Sequence, residues 1–573
     1  MIHPTLSIAI TGSGGSGAVT TGTILLDAMA RAGYHGFMAR SAGPQIRGGE
    51  SAVMLRFSTQ PVNNPDDRFD ALLSLDWLKV ERFADEIPLD ADSLLIGDLA
   101  AGDAPAILTT SGCHLEQPDL KAAAREVEGG RPNMVGLGVL SRLLGLTPET
   151  MQLALEATLG HKGKKTVEVS MQCIQRGSEL GLEGRYDLAL DCVLNRPRLW
   201  NISGNEAAGL GALRGGVRFV AAYPITPASD ILEWLAPKLE QVGGNLLQAE
   251  DELASINMII GGSFGGVPSL TATSGPGLSL MMEGLGLAVA SETPLVVVNV
   301  MRGGPSTGIP TKSEQSDLNI ALYGFHGDAP HLVLAPTDTA DCVLTTQWSV
   351  CLAERLQTVA IVLSDQQLGQ SRVVTDSVQT EDMACARRVV EAADDSYQRY
   401  QLSEDGVSPM AIPGLPAGMY TADGLEHNEH GTPSSFASDH TAQMAKRSTK
   451  LEQFDYGDLW AEVDGEGEIA LVSWGSSCPV TREAARRLEA RGMKVKVILM
   501  RLLMPLNHAG LGAVLAGCSR VYVVEQNQSA QLFHYLLAQQ AIPAHSIRYA
   551  RPGPLPIRPG EIIQLVSAEV AAA

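Results

Sequence analysis

The sequence predicts an α/β protein made of three parallel-sheet domains in tandem, and three observations carry that prediction. Short apolar runs alternate with amphipathic stretches through most of the chain, the pattern of strand, crossover helix and parallel strand. The runs end repeatedly in Gly, Pro, Ser or Thr, which is where open parallel sheets collect ligands. A chain of 573 residues exceeds what one hydrophobic core supports, so roughly three domains of ordinary size are expected.

Composition excludes several classes of function. The hydrophobic fraction is 45% with no strong low-complexity bias, so the chain reads as fully folded. It lacks an apolar run of the roughly 18 residues that a membrane helix needs, and its N-terminus lacks the basic region and apolar core of a secretory signal. The expected location is the cytoplasm, away from membranes. Cys113, Cys173, Cys192, Cys342, Cys351, Cys385, Cys478 and Cys518 are scattered without a C-x-x-C pair. That spacing carries no local zinc or iron–sulfur signature and argues against a disulfide framework, so any cluster is expected from another chain. A net charge of −22 makes nucleic acid an unsuitable partner.

The first region opens with "TLSIAITGSGGSGAVTTGTILLDAMARAG", a strand, a glycine turn and a helix. Gly12, Gly14 and Gly17 satisfy G-x-G-x-x-G in the context that gives the motif meaning. Three readings of the loop stand. A nicotinamide site would want an acid about twenty residues on, where the chain instead carries Arg40 and Arg47 and no acid before Glu50. A turn that merely closes a strand–helix corner is the bland reading. The third is a loop facing another anionic or diphosphate-bearing ligand, with the arginines assisting. Further strands are expected at 93–98, "SLLIGD", and 104–110, "APAILTT", with helical stretches to about residue 190. Pro197 and the following Ser-Gly-Asn cluster mark a domain boundary.

The second region contains "AAYPITPASDILEWLAPKL", the end of a strand running into an amphipathic helix. Pro224 and Pro227 fix φ near about −65° and bias their predecessors away from helix, so the strand end turns rigidly. Thr226 then has its hydroxyl on a stiff loop at a sheet edge, and helix capping is the competing role. In "QAEDEL", Glu250, Asp251 and Glu252 favour a helix N-terminus by complementing its dipole. Arg302 directly follows the apolar strand "PLVVVNVM", so its guanidinium is placed to grip a carboxylate with paired hydrogen bonds. Lys312 is read as an exposed lysine, with a supporting charge beside Arg302 as the alternative.

From 386 to roughly 465 the chain turns polar and irregular, and it is read as a connecting segment that wraps a neighbouring domain or chain. His427 and His430 lie there without an obvious third ligand, so they are read as surface residues rather than a metal site. The remainder alternates strand and helix again, from "EIALVSWGSS" to "RVYVVEQNQ".

"YPITPAS" at 223–229, "TSGPGLSLMMEG" at 273–284 and "RGGPSTGIPTKSEQSD" at 302–317 together resemble the α subunit of 2-oxoacid:ferredoxin oxidoreductases, most nearly the 2-oxoglutarate type. "GSGGSG" with "SAGPQIRGGES" resembles that family's γ domain, here fused ahead of α, and "VSWGSS" its transketolase C-terminal-like domain. The resemblance covers nearly the whole chain. It implies a γ domain at 1–195, a thiamine pyrimidine-binding domain at 200–385, a connecting segment at 386–462 and a transketolase C-terminal-like domain at 463–573.

The implied activity is conversion of a 2-oxoacid and coenzyme A to acyl-CoA and carbon dioxide, with electrons passed to ferredoxin. The resemblance also implies the site. Glu250 is expected to be the catalytic acid on the thiamine ring nitrogen N1′, with Glu252 two residues away as the alternative. A buried acid with a raised pKa suits that role. Thr226, Arg302, Thr311 and Tyr223 are expected to bind substrate, and Pro224 and Ile225 to contact thiamine diphosphate. Arg40, Arg47 and Gly14 are candidates for coenzyme A. The chain has no G-D-G motif with a downstream Asn to hold magnesium and the diphosphate. Magnesium, the diphosphate and an iron–sulfur cluster are therefore expected mainly in a β subunit, within a dimer of heterodimers. One departure stands out: "GLEHNEHGTP" has Asn428 where the family loop carries Asp, which removes a charge. The alternatives are a pyruvate or broad 2-oxoacid enzyme, a nicotinamide dehydrogenase built on residues 12–17, and a non-catalytic binding subunit.

Overall fold

The computed structural model describes residues 5–43, 49–182, 184, 199–376, 378, 382, 383 and 385–571. Arg47 lies outside the described residues. The polypeptide forms two compact units, one of Met1–Ser203, Gln370–Val378 and Leu555–Ala573, the other of Gly204–Gly369 and Gln379–Pro554.

The first unit is built on an eight-stranded sheet. Its strands are β1 (Thr5–Gly12), β2 (His35–Ala42), β3 (Ser51–Ser58), β4 (Ala71–Ser74), β5 (Leu94–Gly97), β6 (His114–Glu116), β7 (Trp200–Ser203) and a strand from late in the chain, Arg372–Thr375. β1, β4, β5 and β6 run parallel, as the alternating pattern predicts. The other half is antiparallel: β3 inserts between β1 and β2, and Arg372–Thr375 pairs with both β2 and β7. Helices cover one face around Ile24, Val135, Leu140 and Ile174, and a smaller core with Phe69, Phe83 and Leu95 covers the other.

One expected strand is a helix. In "APAILTT", Pro105 stands at the N-cap of the helix Ala106–Thr109, a position where its missing N–H costs nothing. The Thr110 hydroxyl bonds back to Ala106 O, and Ile107 is exposed rather than in a sheet. The strand in this stretch is β6, a few residues later.

The second unit contains two sheets. The larger holds β8 (Phe219–Ala222), β9 (Asn245–Gln248), β10 (Ser269–Thr273), β11 (Leu295–Met301), β12 (Leu332–Leu334) and β13 (Val359–Asp365), all parallel to their neighbours. The late strand of the first unit, Arg372–Thr375, is β14. The smaller sheet holds β15 (Ala461–Asp464), β16 (Ile469–Trp474), β17 (Val495–Met500), β19 (Arg520–Glu525) and β20 (Ile547–Ala550), in the order β15-β17-β16-β19-β20. Between β17 and β19 the chain leaves to add β18 (Leu502–Met504) antiparallel to β12, so the two sheets are stitched together.

The order of the larger sheet is β18-β12-β13-β11-β10-β8-β9. From β8 the chain crosses to β9 on one side, then returns to β10 on the other. The carboxyl ends of β8 and β10 therefore flank a topological switch point, the place where such sheets open a ligand crevice.

Cys351 and Cys385 form a disulfide, which the reading of scattered thiols did not anticipate. Their 34-residue separation is closed by packing of the connecting segment, which spacing cannot reveal.

That segment, with its helix Ala437–Glu452, is fastened to the larger sheet by a buried charge cluster. Glu292 is fully buried, and its carboxylate bonds Lys446 Nζ and, at 3.0 Å, Lys450 Nζ. Arg399 Nη2 donates to Glu292 O at 2.9 Å. Burial alone would drive the Glu292 carboxyl upward, but Lys446, Lys450 and Arg399 together hold it far below the usual range. Burial lowers Lys450 to about 8 against the attraction of Glu292.

Removing one partner of a buried ion pair costs about 3–5 kcal/mol, and here Glu292→Gln takes the carboxylate from two buried lysines, Lys446 and Lys450. The variant is expected to lose at least that much in urea unfolding, with partial recovery on adding Lys446→Met and Lys450→Met. A loss below about 1 kcal/mol, the range of exposed pairs, would reject the cluster as an anchor. For Lys450 the folded pKa lies below the unfolded value of about 10.4, so the unfolded chain binds more protons between those values and stability rises with pH across that window. The urea midpoint of the wild-type chain should gain on that of Lys450→Met from about pH 8 to about pH 10, and a constant difference would contradict the assignment.

Candidate active site

Three loops meet at the carboxyl ends of β8, β10 and β11, because parallel neighbours must end on the same edge. The first runs from Tyr223 to Ala228. Tyr223 and Pro224 are exposed, Ile225 and Thr226 half-buried, and Pro227 buried. The helix Ser229–Leu239 has Ala228 at its N-cap and no side-chain cap, so Thr226 does not cap it. Instead Thr226 O accepts a hydrogen bond from Arg302 Nη1 at 2.5 Å, and Asn205 Nδ2 donates to Pro227 O at 2.9 Å.

The second loop leads from β10 into the helix Gly275–Ala290. It faces the start of the helix Glu252–Phe264, whose N-cap is Asp251, bonded to the Ala254 amide at 2.7 Å. Glu250, the acid placed first by the sequence, is exposed. The burial required of that acid belongs to Glu252, which is 7% exposed. A Cβ added at Gly277 would stand 2.7 Å from Glu252 Oε1 and would also strike Thr273 Oγ1. Gly275 is equally restricted, since a Cβ there would come within 2.8 Å of Asp317 Oδ2. The glycines of "TSGPG" thus leave room for two carboxylates beside the switch point.

The third loop, 302–317, walls a cleft of about 740 Å³ with the loop at 527–531 and Gly553. Arg302 lines it, is 7% exposed, and has a buried Nε without a hydrogen-bond partner among the described residues. Burial lowers the Arg302 pKa, and the charge of Asp317 opposes that shift. Asp317 is raised by burial against hydrogen bonds from Asn299 Nδ2, 2.9 Å, and Ser316 Oγ, 3.0 Å. Burial also raises Glu314, while a backbone hydrogen bond with Gly553 lowers it and Asp317 adds repulsion. Thr311 does not line the cleft; its Oγ1 is buried without a partner among the described residues.

Sequence reasoning therefore located Arg302 and Thr226, which the structure joins, and missed Glu314, Gln315, Ser316, Asp317 and Asn299. The signal for the first four was the polar run "SEQSD" itself, which has no periodicity that separates a folded loop from a solvated one. Asn299, a polar residue inside the apolar run "PLVVVNVM", was the readable anomaly.

In the first unit a separate cleft of about 840 Å³ overlies the glycine turn, lined by Ser13, Gly15, Gly17, Lys121, Arg131 and Lys162 among others. Asp76 accepts from the Ser13 amide at 2.9 Å and from Ser13 Oγ at 2.8 Å, so a carboxylate already takes a donor that the motif would offer a diphosphate. Gly14 is exposed at this turn, whereas Arg40 is exposed on β2 and does not line the cleft. His427 is buried between Ala290 O and Asn428 O rather than lying on the surface.

Comparison with known proteins gives these features a family. Residues 7–180 match the family described as pyruvate ferredoxin/flavodoxin oxidoreductase, residues 210–446 its thiamine-diphosphate-binding domain, and residues 460–534 the transketolase C-terminal domain. A solved 2-oxoglutarate:ferredoxin oxidoreductase from Magnetococcus marinus, with 2-oxoglutarate, coenzyme A and succinyl-CoA bound, superposes with a TM-score of 0.91 at 36% identity, over 99% of this chain and 100% of that one. The 2-oxoacid:ferredoxin oxidoreductase subunit alpha of Sulfolobus sp is 30% identical over 92% of this chain and 91% of its own length. The 2-oxoglutarate oxidoreductase subunit KorA of Mycobacterium tuberculosis is 34% identical over 72% of this chain and 65% of its own. Fold and matches define an oxidoreductase subunit with a thiamine-binding domain. The chain belongs to the 2-oxoacid:ferredoxin oxidoreductases, as an α subunit.

Gly277→Ala tests the crowding beside Glu252. In an ordinary helix that change gains about 1 kcal/mol; here the added methyl is expected to cost about 1–3 kcal/mol through overpacking. Urea unfolding measures the difference, and a stabilised variant would show that Glu252 and Thr273 do not hold their places.

Proposed function

We propose that this chain is the α subunit, with a fused γ domain at 1–195, of a 2-oxoglutarate:ferredoxin oxidoreductase acting in the cytoplasm. It would convert 2-oxoglutarate and coenzyme A to succinyl-CoA and carbon dioxide while ferredoxin takes up an electron pair. The observation that carries the reading is Arg302: a nearly buried guanidinium at the switch point, with an unpartnered Nε facing no protein acceptor among the described residues. Such a group is matched to a carboxylate, and we assign it the second, distal carboxylate that 2-oxoglutarate has and pyruvate lacks. Relatives that carry 2-oxoglutarate in their names, one of them solved with it bound, support this choice of 2-oxoacid.

The crevice fits one half of thiamine diphosphate. It has a buried carboxylate at a helix N-terminus, Glu252, and glycines where side chains would fill the space. When bound, the cofactor supplies the carbon nucleophile and electron sink that decarboxylation of a 2-oxoacid requires. Glu252, rather than Glu250, is the carboxylate we place against its ring nitrogen, since burial is what lets an acid hold and exchange a proton near neutral pH. Pro224 and Ile225 would contact the ring, with Thr226 and Tyr223 on the substrate side and Thr311 behind Arg302. Magnesium, the diphosphate and the iron–sulfur cluster fall to a β subunit in a dimer of heterodimers. Leu253 and Leu280, each 50% exposed on the two helices that start at the crevice, support a surface covered by that subunit. For the phosphates of coenzyme A we assign the Arg131 and Lys162 side of the cleft above the glycine turn, because Asp76 already takes the Ser13 donors; Gly14 lies beside the cleft and Arg40 stands outside it.

Co-expression with the β subunit under anaerobic conditions, followed by CoA-dependent viologen reduction, tests the reading. The rate with 2-oxoglutarate should exceed that with pyruvate by at least about 100-fold, since one unpaired buried charge separates the two substrates. Equal rates would mean a broad 2-oxoacid enzyme. In the same assay Glu252→Gln should lower kcat by about 10²-fold or more and Glu250→Gln by much less; the reverse order returns the role to Glu250. Full activity of both variants would exclude either carboxylate.

A further inference from the structure

We propose that Gln315 is a positioning residue for substrate binding, and that it acts by plugging the ligand crevice of the C-terminal sheet. The inference rests on the reading of Arg302 as the carboxylate-binding residue. From β16 the chain crosses to β17 on one side, and it later returns to β19 on the other. The carboxyl ends of β16 and β19 thus frame a second switch point, where an open sheet of this kind would ordinarily take a ligand.

Here the crevice is filled from within the molecule. Gln315 is 0% exposed. Its Nε2 donates to Trp474 O, the last residue of β16, at 2.7 Å, and its Oε1 accepts from Ser477 Oγ and from the Gln526 amide, each at 2.7 Å. The main chain adds two more bonds, Gln315 N to Gln526 O at 2.8 Å and Asn527 Nδ2 to Gln315 O at 3.2 Å. Gly475, with φ of +56°, keeps the approach open, since a Cβ there would come within 2.7 Å of Gln315 Nε2. Asn527 is in turn held by Glu525 at 2.7 Å, and Glu525 accepts the Leu532 and Phe533 amides at 2.9 and 3.0 Å.

The next residue transmits this fixed position to the arginine. Ser316 Oγ shares its one proton between Arg302 O at 2.9 Å and Asp317 Oδ1 at 3.0 Å, and Gln531 Nε2 donates to Ser316 O at 2.9 Å. An apolar side chain could fill the same volume, but apolar contact is non-directional and lets a loop slide. Three directed bonds from one amide admit a single placement, and each buried partner left unpaired costs free energy. The C-terminal sheet is therefore the rigid backing of the substrate loop.

The test uses the assembled complex with its β subunit and three variants, Gln315→Met, Ser477→Ala and Arg302→Lys. Gln315→Met should raise KM for 2-oxoglutarate about tenfold with kcat within about twofold, the pattern of lost binding common to ground and transition states, and leave KM for coenzyme A unchanged. Ser477→Ala, which removes one donor to Oε1, should shift KM in the same direction by less, and it decides the matter if Gln315→Met fails to assemble. Amide exchange at Gly303, Ile309 and Lys312, whose bonds close the loop, should quicken in both. If Arg302→Lys raises KM while neither other variant does, or if they lower only thermal stability and kcat, the positioning role is wrong and the Arg302 reading survives. If Arg302→Lys leaves KM unchanged, the Arg302 reading fails and the role of Gln315 falls with it.

Discussion

The second unit depends on one constraint: parallel strands deliver their following loops to the same edge of a sheet. β8, β10 and β11 are adjacent and parallel, so "YPITP", "TSGPG" and "RGGPSTG" converge although residues 228–301 lie between the first and last. Everything proposed for the site uses that convergence. The bond between Arg302 Nη1 and Thr226 O joins the outer two loops across the middle one. The glycines of the middle loop admit Glu252 and Asp317 from either side. No single loop contains a recognisable catalytic arrangement; the sheet order assembles it.

Convergence of backbones does not by itself hold long loops still, and the molecule uses buried polar groups for that. The 302–317 loop is pinned by Gln315 and Ser316, and the irregular segment after residue 386 is pinned by Arg387 on Glu354, 2.6 and 2.8 Å, and by the Glu292 cluster. A segment with little regular structure has few partners of its own, so its charged side chains take them from the helix and the turn it crosses. Directed bonds of this kind add less net stability than equal apolar burial, yet they specify one arrangement. A subunit whose 302–317 loop bridges two sheets needs that specification more than additional stability.

These devices also explain what was legible in the sequence. The apolar runs of β8, β10, β11, β13 and β16 are buried on both faces and read plainly. Arg302 was legible because it ends such a run. The antiparallel β2–β3 pair was not, because an edge-to-edge insertion between β1 and β2 changes pairing without changing periodicity. "APAILTT" looked like a strand because a short β-branched and apolar run has no period long enough to separate strand from helix. Glu250 and Glu252 were indistinguishable, since which carboxylate turns inward depends on where Asp251 starts the helix. Gln315 and Asp317 were invisible, because their partners lie far along the chain, at 526 and 299.

The electrostatics of the cleft follow from the same packing. An arginine tightly ion-paired within its own chain would have to give up that partner to bind a substrate carboxylate. Asp317 is near enough to influence Arg302, but its oxygens are taken by Asn299 and Ser316, and Arg302 forms no ion pair among the described residues. Burial moves both Asp317 and Glu314 toward their neutral forms, which reduces the negative charge that an anionic substrate meets on entry. The carbonyl of Thr226 meanwhile occupies Nη1, so the guanidinium is oriented by a neutral acceptor and keeps its charge for the ligand. The cleft is thus arranged to hold a cation in place without neutralising it, which is the condition for carboxylate recognition by a single arginine.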